Sequence, residues 1–250
     1  MSTNVSFHKL IYMKQILAIL FCLCSFSSFS QDNTLVNDKN AQVRNVGSFD
    51  QIKVSGAIDL YLSQSDADAV AVSATDVKYR DNIKTEVSNG VLSISYSSNG
   101  MSWLNGNKHL IAYVSFKMIK GLEITGASTC KVTGTINVPE LKLKLSGAST
   151  IKGALNISNL TIVGSGASDA KLSGSASKID INLSGASNLK SYDLLTDQCV
   201  VTASGASDIR ISVKNELSAH ASGASSLYYK GNPTVKESRS SGASTIQKKD

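Results

Sequence analysis

The chain has few of the residues that bind metals or build a wide aromatic core. Its 250 residues include 3 His, 2 Pro and 1 Trp, and aromatic residues account for 6% of the sequence. The sequence contains no H-E-x-x-H segment and no paired C-x-x-C segments, which are common metal-binding spacings. We therefore expect no metal, no cofactor, and an interior filled by aliphatic side chains.

The sequence also lacks the residue groupings of a catalytic or nucleic-acid-binding site. Apart from His8, the histidines are His109 and His220, and neither has a nucleophile or a carboxylate arranged beside it in the sequence. Lysine and arginine are not clustered with aromatic residues, as nucleic-acid-binding surfaces require. These absences predict a protein that is not an enzyme and has no nucleic-acid partner.

The apolar run near the N-terminus is too short to cross a bilayer. Ile16–Cys24 contains nine apolar residues, whereas a membrane-spanning helix needs about 20. The run follows Met13 and Lys14 and precedes a serine-rich segment that ends at Ser30, a pattern typical of a secretory signal peptide. We expect residues 1–30 to be a signal peptide with an upstream extension, a start at Met13, no integral membrane segment, and export to the periplasm, the outer cell surface or the medium.

The dominant feature of the sequence is a Gly-Ala-Ser repeat in its second half. Successive copies are separated by 21, 19, 19, 20, 18 and 19 residues, and their glycines are Gly126, Gly147, Gly166, Gly185, Gly205, Gly223 and Gly242. A period near 20 residues indicates a unit that cannot bury its apolar face alone, so that neighbouring units stack.

Alignment of the copies on glycine separates apolar from polar positions. The positions four and two before the glycine, and four after it, carry mainly Leu, Ile, Val and Ala, whereas Ser or Thr directly precedes the glycine. This alternation is typical of strands with one buried face. We interpret each Gly-Ala pair as a bend in which Gly adopts a positive φ and Ala fills a tight interior corner. The predicted fold class is all-β, a β-helix or solenoid with about 19–20 residues per coil.

The rest of the chain divides around this repeat. The polar composition of residues 31–43 predicts a flexible leader. The alternating segments of residues 44–120 predict an N-terminal β-meander or sandwich-like region with a hairpin at Asn89-Gly90. The Gly-Ala-Ser solenoid occupies residues 121–250 and ends in a closing strand. Cys130 and Cys199 lie at least three coils apart, so we expect two free thiols, with Cys130 buried.

Three motifs along the chain carry a resemblance to a known family. They are F-D-Q-I-K-V-S-G-A-I-D-L-Y-L at Phe49–Leu62, N-G-V-L-S-I-S-Y at Asn89–Tyr96, and the repeated S-G-A-S. Together they resemble the head GIN domain family of autotransporter adhesins, over roughly residues 44–247. The resemblance implies a right-handed β-helix of the bacterial envelope and brings no catalytic residues with it.

One candidate ligand-binding region is the Ser/Asn/Gly-rich loop at residues 97–109. It contains Trp103, Asn105, Asn107 and His109. Irregular loops on rigid scaffolds often carry function, and an aromatic ring there is suited to stacking on a sugar or a partner. A ring that packs back on its own sheet is the structural alternative.

The other candidate is a polar face three residues after each repeat glycine. Asp169, Asn188 and Asp208 lie in this column together with Ser and Thr residues. Two carboxylates two coils apart, about 10 Å by strand spacing, approach the separation of an inverting glycosidase pair. Small polar side chains in a turn also bond neighbouring backbone groups, which is the structural alternative.

These patterns favour a non-catalytic extracytoplasmic binding or scaffold module, an adhesin of the bacterial envelope. Its partner would be a glycan or a protein of the envelope or host surface. Two alternatives stay open, namely a carbohydrate-binding or carbohydrate-active surface protein that uses the polar face, and a purely structural envelope protein.

Overall fold

The computed structural model describes residues 38–96 and 108–250, and strands make up most of them. The predicted signal peptide at residues 1–30 lies outside the described residues. One short helix, α1, spans Val77–Arg80, and its N-cap Asp76 accepts a hydrogen bond from the backbone of Lys78. The strands are β1 (Gln42–Arg44), β2 (Gln51–Ser55), β3 (Ile58–Gln64), β4 (Ala69–Ser73), β5 (Ile83–Ser88), β6 (Val91–Tyr96), β7 (Leu110–Phe116), β8 (Gly121–Ile124), β9 (Thr129–Leu145), β10 (Thr150–Gly164), β11 (Asp169–Leu183), β12 (Asn188–Ala203), β13 (Asp208–Ala221), β14 (Ser226–Lys230), β15 (Thr234–Ser240) and β16 (Thr245–Lys248).

The long strands β9 to β13 are the coils of the repeat, and each pairs in parallel with the next. Ile151 of β10 is aligned with Cys130 of β9 on one side and with Ala170 of β11 on the other. Since these partners are 19 or 21 residues apart in sequence, each coil lies directly on the preceding one. The predicted β-solenoid is confirmed, with about seven turns.

The N-terminal strands pair with the same solenoid. Strand β2 pairs in parallel with β6 and β8, and β3 pairs in parallel with β7 and β9. The bend at Gly56-Ala57 between β2 and β3 therefore lies under the bend at Gly126, where Thr125 N donates to Val54 O at 2.9 Å. The coil made of β6 and β7 follows β2 and β3 in the sequence, but it pairs with them on the side opposite to β8 and β9.

The predicted hairpin at Asn89-Gly90 joins β5 to β6. These two strands are antiparallel, with Val87 aligned with Leu92. Asn89 has φ 50° and Gly90 has φ 77°, which is the pair of positive values that a type I′ turn requires. Strand β4 pairs antiparallel with β7, and β1 pairs antiparallel with β4 at the outer side.

Aliphatic side chains form a continuous core along the coils. Among the buried hydrophobic residues of the described segments, Phe49 and Phe116 are the only aromatic ones. The predicted inward column four residues before the glycine is buried at Leu122, Leu143, Ile162, Ile181, Val201 and Ala219. The column two residues before it is buried at Ile124, Leu145, Leu183, Ala203 and Ala221. The core ends near Leu227, since β15 and β16 are largely exposed.

Candidate binding surface

The bends stack into a hydrogen-bonded column, which is the geometric reason for the glycine. All seven repeat glycines have φ between 70° and 77°, a left-handed conformation that favours glycine. In each stacked pair, the alanine N–H of one bend donates to the glycine carbonyl of the bend below at 2.7–2.8 Å. A Cβ on Gly185 would lie 2.6 Å from the Gly166 carbonyl oxygen. The prediction that glycine supplies a positive φ is confirmed.

The prediction that alanine fills an interior corner is wrong, because the serine after it occupies that place. Ala127 and its equivalents are exposed, whereas Ser128, Ser149, Ser168, Ser187, Ser207 and Ser225 are each at most 1% exposed. The Ser187 hydroxyl donates to the Ser184 carbonyl at 2.8 Å, and the Ser207 hydroxyl donates to the Ser204 carbonyl at 2.7 Å. The Ser225 hydroxyl donates to the Ser222 carbonyl in the same way, at 2.8 Å, so in these copies the last serine of S-G-A-S closes the turn from inside and its buried hydroxyl has a partner.

The polar face at Asp169, Asn188 and Asp208 is a hydrogen-bonded column. Parallel pairing aligns Asp169 with Asn188, and Asn188 with Asp208. The Asn188 amide donates to an Asp169 carboxylate oxygen at 3.0 Å. Asp208 instead forms an ion pair with Arg210, at 3.0 Å between Nε and Oδ1. The two carboxylates are thus separated by an amide, and each already has a partner.

A basic column runs beside this polar face, two residues further along each coil. It consists of Lys131, Lys152, Lys171, Lys190 and Arg210, each five residues after a repeat glycine. Lys152 is aligned with Lys131 and with Lys171, and Lys190 is aligned with Arg210. The four lysines are exposed. The sequence motifs considered above do not include this column, although the glycine-aligned repeats contain its signal at one fixed position.

A groove follows the first half of the basic column. It has a volume of about 660 Å³, and Lys131, Lys152 and Lys171 line it together with Tyr61. Its lining also includes the small residues Gly134, Gly153, Ala154 and Ser173, while Asp193 is its one carboxylate. Small side chains between the lysines leave a concave, mostly uncharged surface beside a row of cations.

Tyrosine rings extend the basic column at its N-terminal end. Tyr61 is aligned with Lys131 and Tyr113 is aligned with Tyr61. The two rings are stacked with centroids 5.4 Å apart, and Lys131 Nζ lies 5.4 Å from the Tyr61 centroid. The Tyr113 hydroxyl donates to Asp38 at 3.1 Å. Burial, together with the Asp38 carboxylate, raises the pKa of Tyr113 to about 12.

Tyrosines also follow the basic column at its C-terminal end. Tyr228 is aligned with Arg210, and Lys249 Nζ lies 4.9 Å from its ring centroid. Lys230 Nζ lies 5.2 Å from the ring centroid of Tyr192. Burial, with a further contribution from Asp208, raises the pKa of Tyr192. Aromatic rings paired with cations thus lie at both ends of the column.

The predicted aromatic loop is described only at its ends. Trp103, Asn105 and Asn107 lie outside the described residues. His109 is exposed, has φ 29°, and places Nδ1 3.7 Å from Asp59 Oδ2. Tyr96, the described residue that precedes the loop, lies beside the first bend, since a Cβ added to Gly56 would lie 3.0 Å from Tyr96 N.

The described segments contain neither a metal-binding cluster nor a membrane-spanning helix. Within residues 38–96 and 108–250, no group of three or more His, Cys, Asp or Glu side chains could hold a metal ion. His220 instead pairs with Glu237, at 3.2 Å between Nε2 and Oε2. In the same part of the chain, no helix has the length and apolar character needed to cross a membrane.

Several solved structures are similar to this chain. A "putative adhesin" from Bacteroides fragilis is 21% identical with a TM-score of 0.75, and the match covers 85% of this chain and 98% of that one. A "putative lipid binding protein" from Parabacteroides distasonis is 20% identical with a TM-score of 0.63 over 85% and 98% of the two chains. A "putative adhesin" from Parabacteroides merdae is 18% identical with a TM-score of 0.61 over 84% and 96%. At these identities the likeness shows a shared fold. No match was found among curated proteins.

A family match covers most of the solenoid. The family described as "Putative auto-transporter adhesin, head GIN domain" matches residues 48–233. This range begins just before β2 and ends after β14, so it includes the motifs at Phe49–Leu62 and Asn89–Tyr96. The chain therefore belongs to this head GIN domain family.

Proposed function

We propose that this protein is a non-catalytic binding module that works outside the cytoplasm, as an adhesin of the bacterial envelope. The observation that carries the proposal is the basic column, in which a rigid stack of coils presents one cation per coil beside a groove. A rigid scaffold with an ordered outer surface suits recognition, because little side-chain and backbone freedom is lost on binding. Membership of an adhesin-like family supports the same role and an extracytoplasmic location.

The hydrogen bond and the ion pair of the polar face favour a binding role over a hydrolytic one. A glycosidase needs one carboxyl group that can donate a proton and a second that acts as base or nucleophile. Here Asp169 accepts a hydrogen bond from Asn188, and Asp208 is paired with the Arg210 guanidinium. Neither carboxyl group is free of a protein partner, whereas the acid of a glycosidase must reach the oxygen of the bond that is cleaved.

We propose a carbohydrate ligand, with the loop that contains Trp103, Asn105 and Asn107 as a further contact. The support is the position of the loop ends at the start of the bend column, close to aromatic rings. Lys108 Nζ lies 5.1 Å from the Tyr96 ring centroid. An aromatic side chain such as that of Trp103 is suited to stacking on the face of a sugar.

A glycan array tests the proposed function. The whole chain is compared with Trp103→Ala, with Trp103→Phe as the conservative control, and with the pair Asp169→Ala and Asp208→Ala. We expect binding to sugars that weakens in Trp103→Ala, is retained in Trp103→Phe, and is accompanied by little change in melting temperature. An array on which the wild-type chain binds no sugar would contradict the proposal. Loss of binding in the aspartate variants alone would move the site to the polar face.

A further inference from the structure

The basic column places like charges on adjacent coils in the interior of a sheet. Lys131, Lys152 and Lys171 are direct register neighbours, about 4.8 Å apart at the backbone. Like charges directly opposite one another in a sheet are destabilising. Lysines protect exposed strand edges from pairing, but β9, β10 and β11 are paired on both sides. Neither the fold nor edge protection therefore explains this row.

The lysines of the column are not neutralised by the protein. Among the described residues, no carboxylate lies within 4.0 Å of Lys131, Lys152, Lys171 or Lys190. The pairing differs elsewhere in the solenoid, because Glu123 of β8 lies between Lys53 of β2 and Lys144 of β9, at 3.3 and 3.6 Å from their Nζ atoms. The fold thus interleaves charges around Glu123 and leaves the four lysines of the column without a carboxylate partner, three of them aligned on successive coils.

A groove lies beside the column, so a ligand there would contact a concave surface as well as the row of lysines. It follows the coil axis past three of the lysines, and Gly153 and Ala154 keep it free of long side chains between them. The Tyr61 ring lines the same groove, and Tyr113 stacks behind it. A chain-like ligand in this groove would meet cations at regular intervals, a small-residue surface, and an aromatic face.

From these observations we infer that the basic column binds a linear acidic polysaccharide, one with a carboxylate on its sugar units. The row of lysines would pair with successive carboxylates, and the uncharged parts of the sugar rings would pack on the small residues and on Tyr61. This inference rests on the proposed binding function and names its ligand class and its site. Charge complementarity carries it, since a straight row of unpaired cations matches a polymer with regularly repeated negative charge.

Two other anionic partners fit the surface less well. A bilayer presents a flat array of headgroups, whereas the lysines lie along one line beside a groove. Single-stranded nucleic acid is bound by aromatic rings along the whole cationic path, on which successive bases stack. Here no ring lies between Lys131 and Lys190 in the column.

A matched pair of charge variants tests the inference. The first variant is Lys152→Gln, Lys171→Gln and Lys190→Gln in the whole chain. The control is Lys142→Gln, Lys178→Gln and Lys214→Gln, which removes the same net charge from exposed lysines outside the column. Binding to polygalacturonate is measured by calorimetry at low and at raised salt, with neutral dextran as the reference polymer.

We expect wild type to bind polygalacturonate and not dextran, with an affinity that falls as salt rises. The column variant should lose at least about tenfold in affinity, since each lysine near a dense anionic surface contributes severalfold, whereas the control should stay within about twofold. The column variant should melt at or above the wild-type temperature, because like-charge repulsion is removed.

Several results would overturn the inference. They are equal losses in both triple variants, no binding of polygalacturonate by wild type, or tighter binding of single-stranded DNA or of phosphatidylglycerol vesicles than of polygalacturonate. A melting temperature clearly lowered in the column variant would show that the lysines are structural. If wild type binds sugars on the glycan array but not polygalacturonate, this inference fails while the proposed function stands. If it binds neither, both fail.

Discussion

Replacement of Gly185 by valine should destabilise the solenoid strongly, because two independent constraints meet at this bend. Gly185 has φ 70°, and an added Cβ would lie 2.6 Å from the Gly166 carbonyl oxygen. A non-glycine residue in such a conformation costs about 1–3 kcal/mol. Relief of the contact would disturb the 2.7 Å hydrogen bond from Ala186 N to Gly166 O, at a further cost of about 1 kcal/mol. We expect a loss of about 3 kcal/mol in the free energy of unfolding.

Other glycines of the chain separate these two constraints in one assay. Gly134 has φ 75° but open space around its added Cβ, so Gly134→Val measures backbone strain alone. Gly153 has no positive φ, but its added Cβ would lie 2.4 Å from Val132 Cβ, so Gly153→Val measures the steric clash. Gly47 has neither constraint and provides the neutral control.

Thermal unfolding, followed by circular dichroism, gives the comparison. A loss of about 3 kcal/mol should lower the melting temperature by about 6–12 °C in a domain of this size. Gly134→Val and Gly153→Val should each shift it less, and Gly47→Val should leave it nearly unchanged. If Gly185→Val melts like wild type, or no lower than Gly134→Val, the stacking of the bends does not constrain this position and the reasoning is refuted.

Three further predictions concern single side chains. Burial raises the pKa of Cys199 to about 12 and raises that of Cys130, so neither thiol should react with Ellman's reagent at pH 8 until the protein unfolds; rapid reaction of the native protein would contradict the buried positions. Ser187→Ala should cost about 1 kcal/mol in urea unfolding, because it removes the hydroxyl that closes its turn, and an unchanged midpoint would show that this bond is dispensable. Tyr113 has a folded pKa of about 12 against an ordinary value of 10.0, so its contribution to stability is complete below pH 10 and is lost as pH rises toward 12. An absorbance titration of Tyr113→Phe should lack one late-ionising tyrosine that wild type shows, and an unchanged titration curve would contradict the assignment.

The apolar columns and the bends could be predicted because they repeat a local requirement. Every coil needs aliphatic residues at alternate strand positions and a positive φ at one glycine, and a repeat shows such needs many times over. The sequence did not predict in this way that the alanine of each bend is exposed and the serine after it is buried. Both residues are small, and only the position of the Ser184 carbonyl relative to Ser187 shows that the hydroxyl faces inward.

The sequence alone therefore determined the repeat period, the all-β class, the inward columns and the family. Tertiary structure decided the order of the coils at the N-terminal end, where β2 and β3 lie between coils that follow them in the chain. It also decided which charges are paired, because Glu123 approaches Lys53 and Lys144 while no carboxylate approaches Lys152 or Lys171. The physical reason is that local patterns set which face a side chain takes within its own coil, whereas its neighbours on that face come from other coils and depend on register.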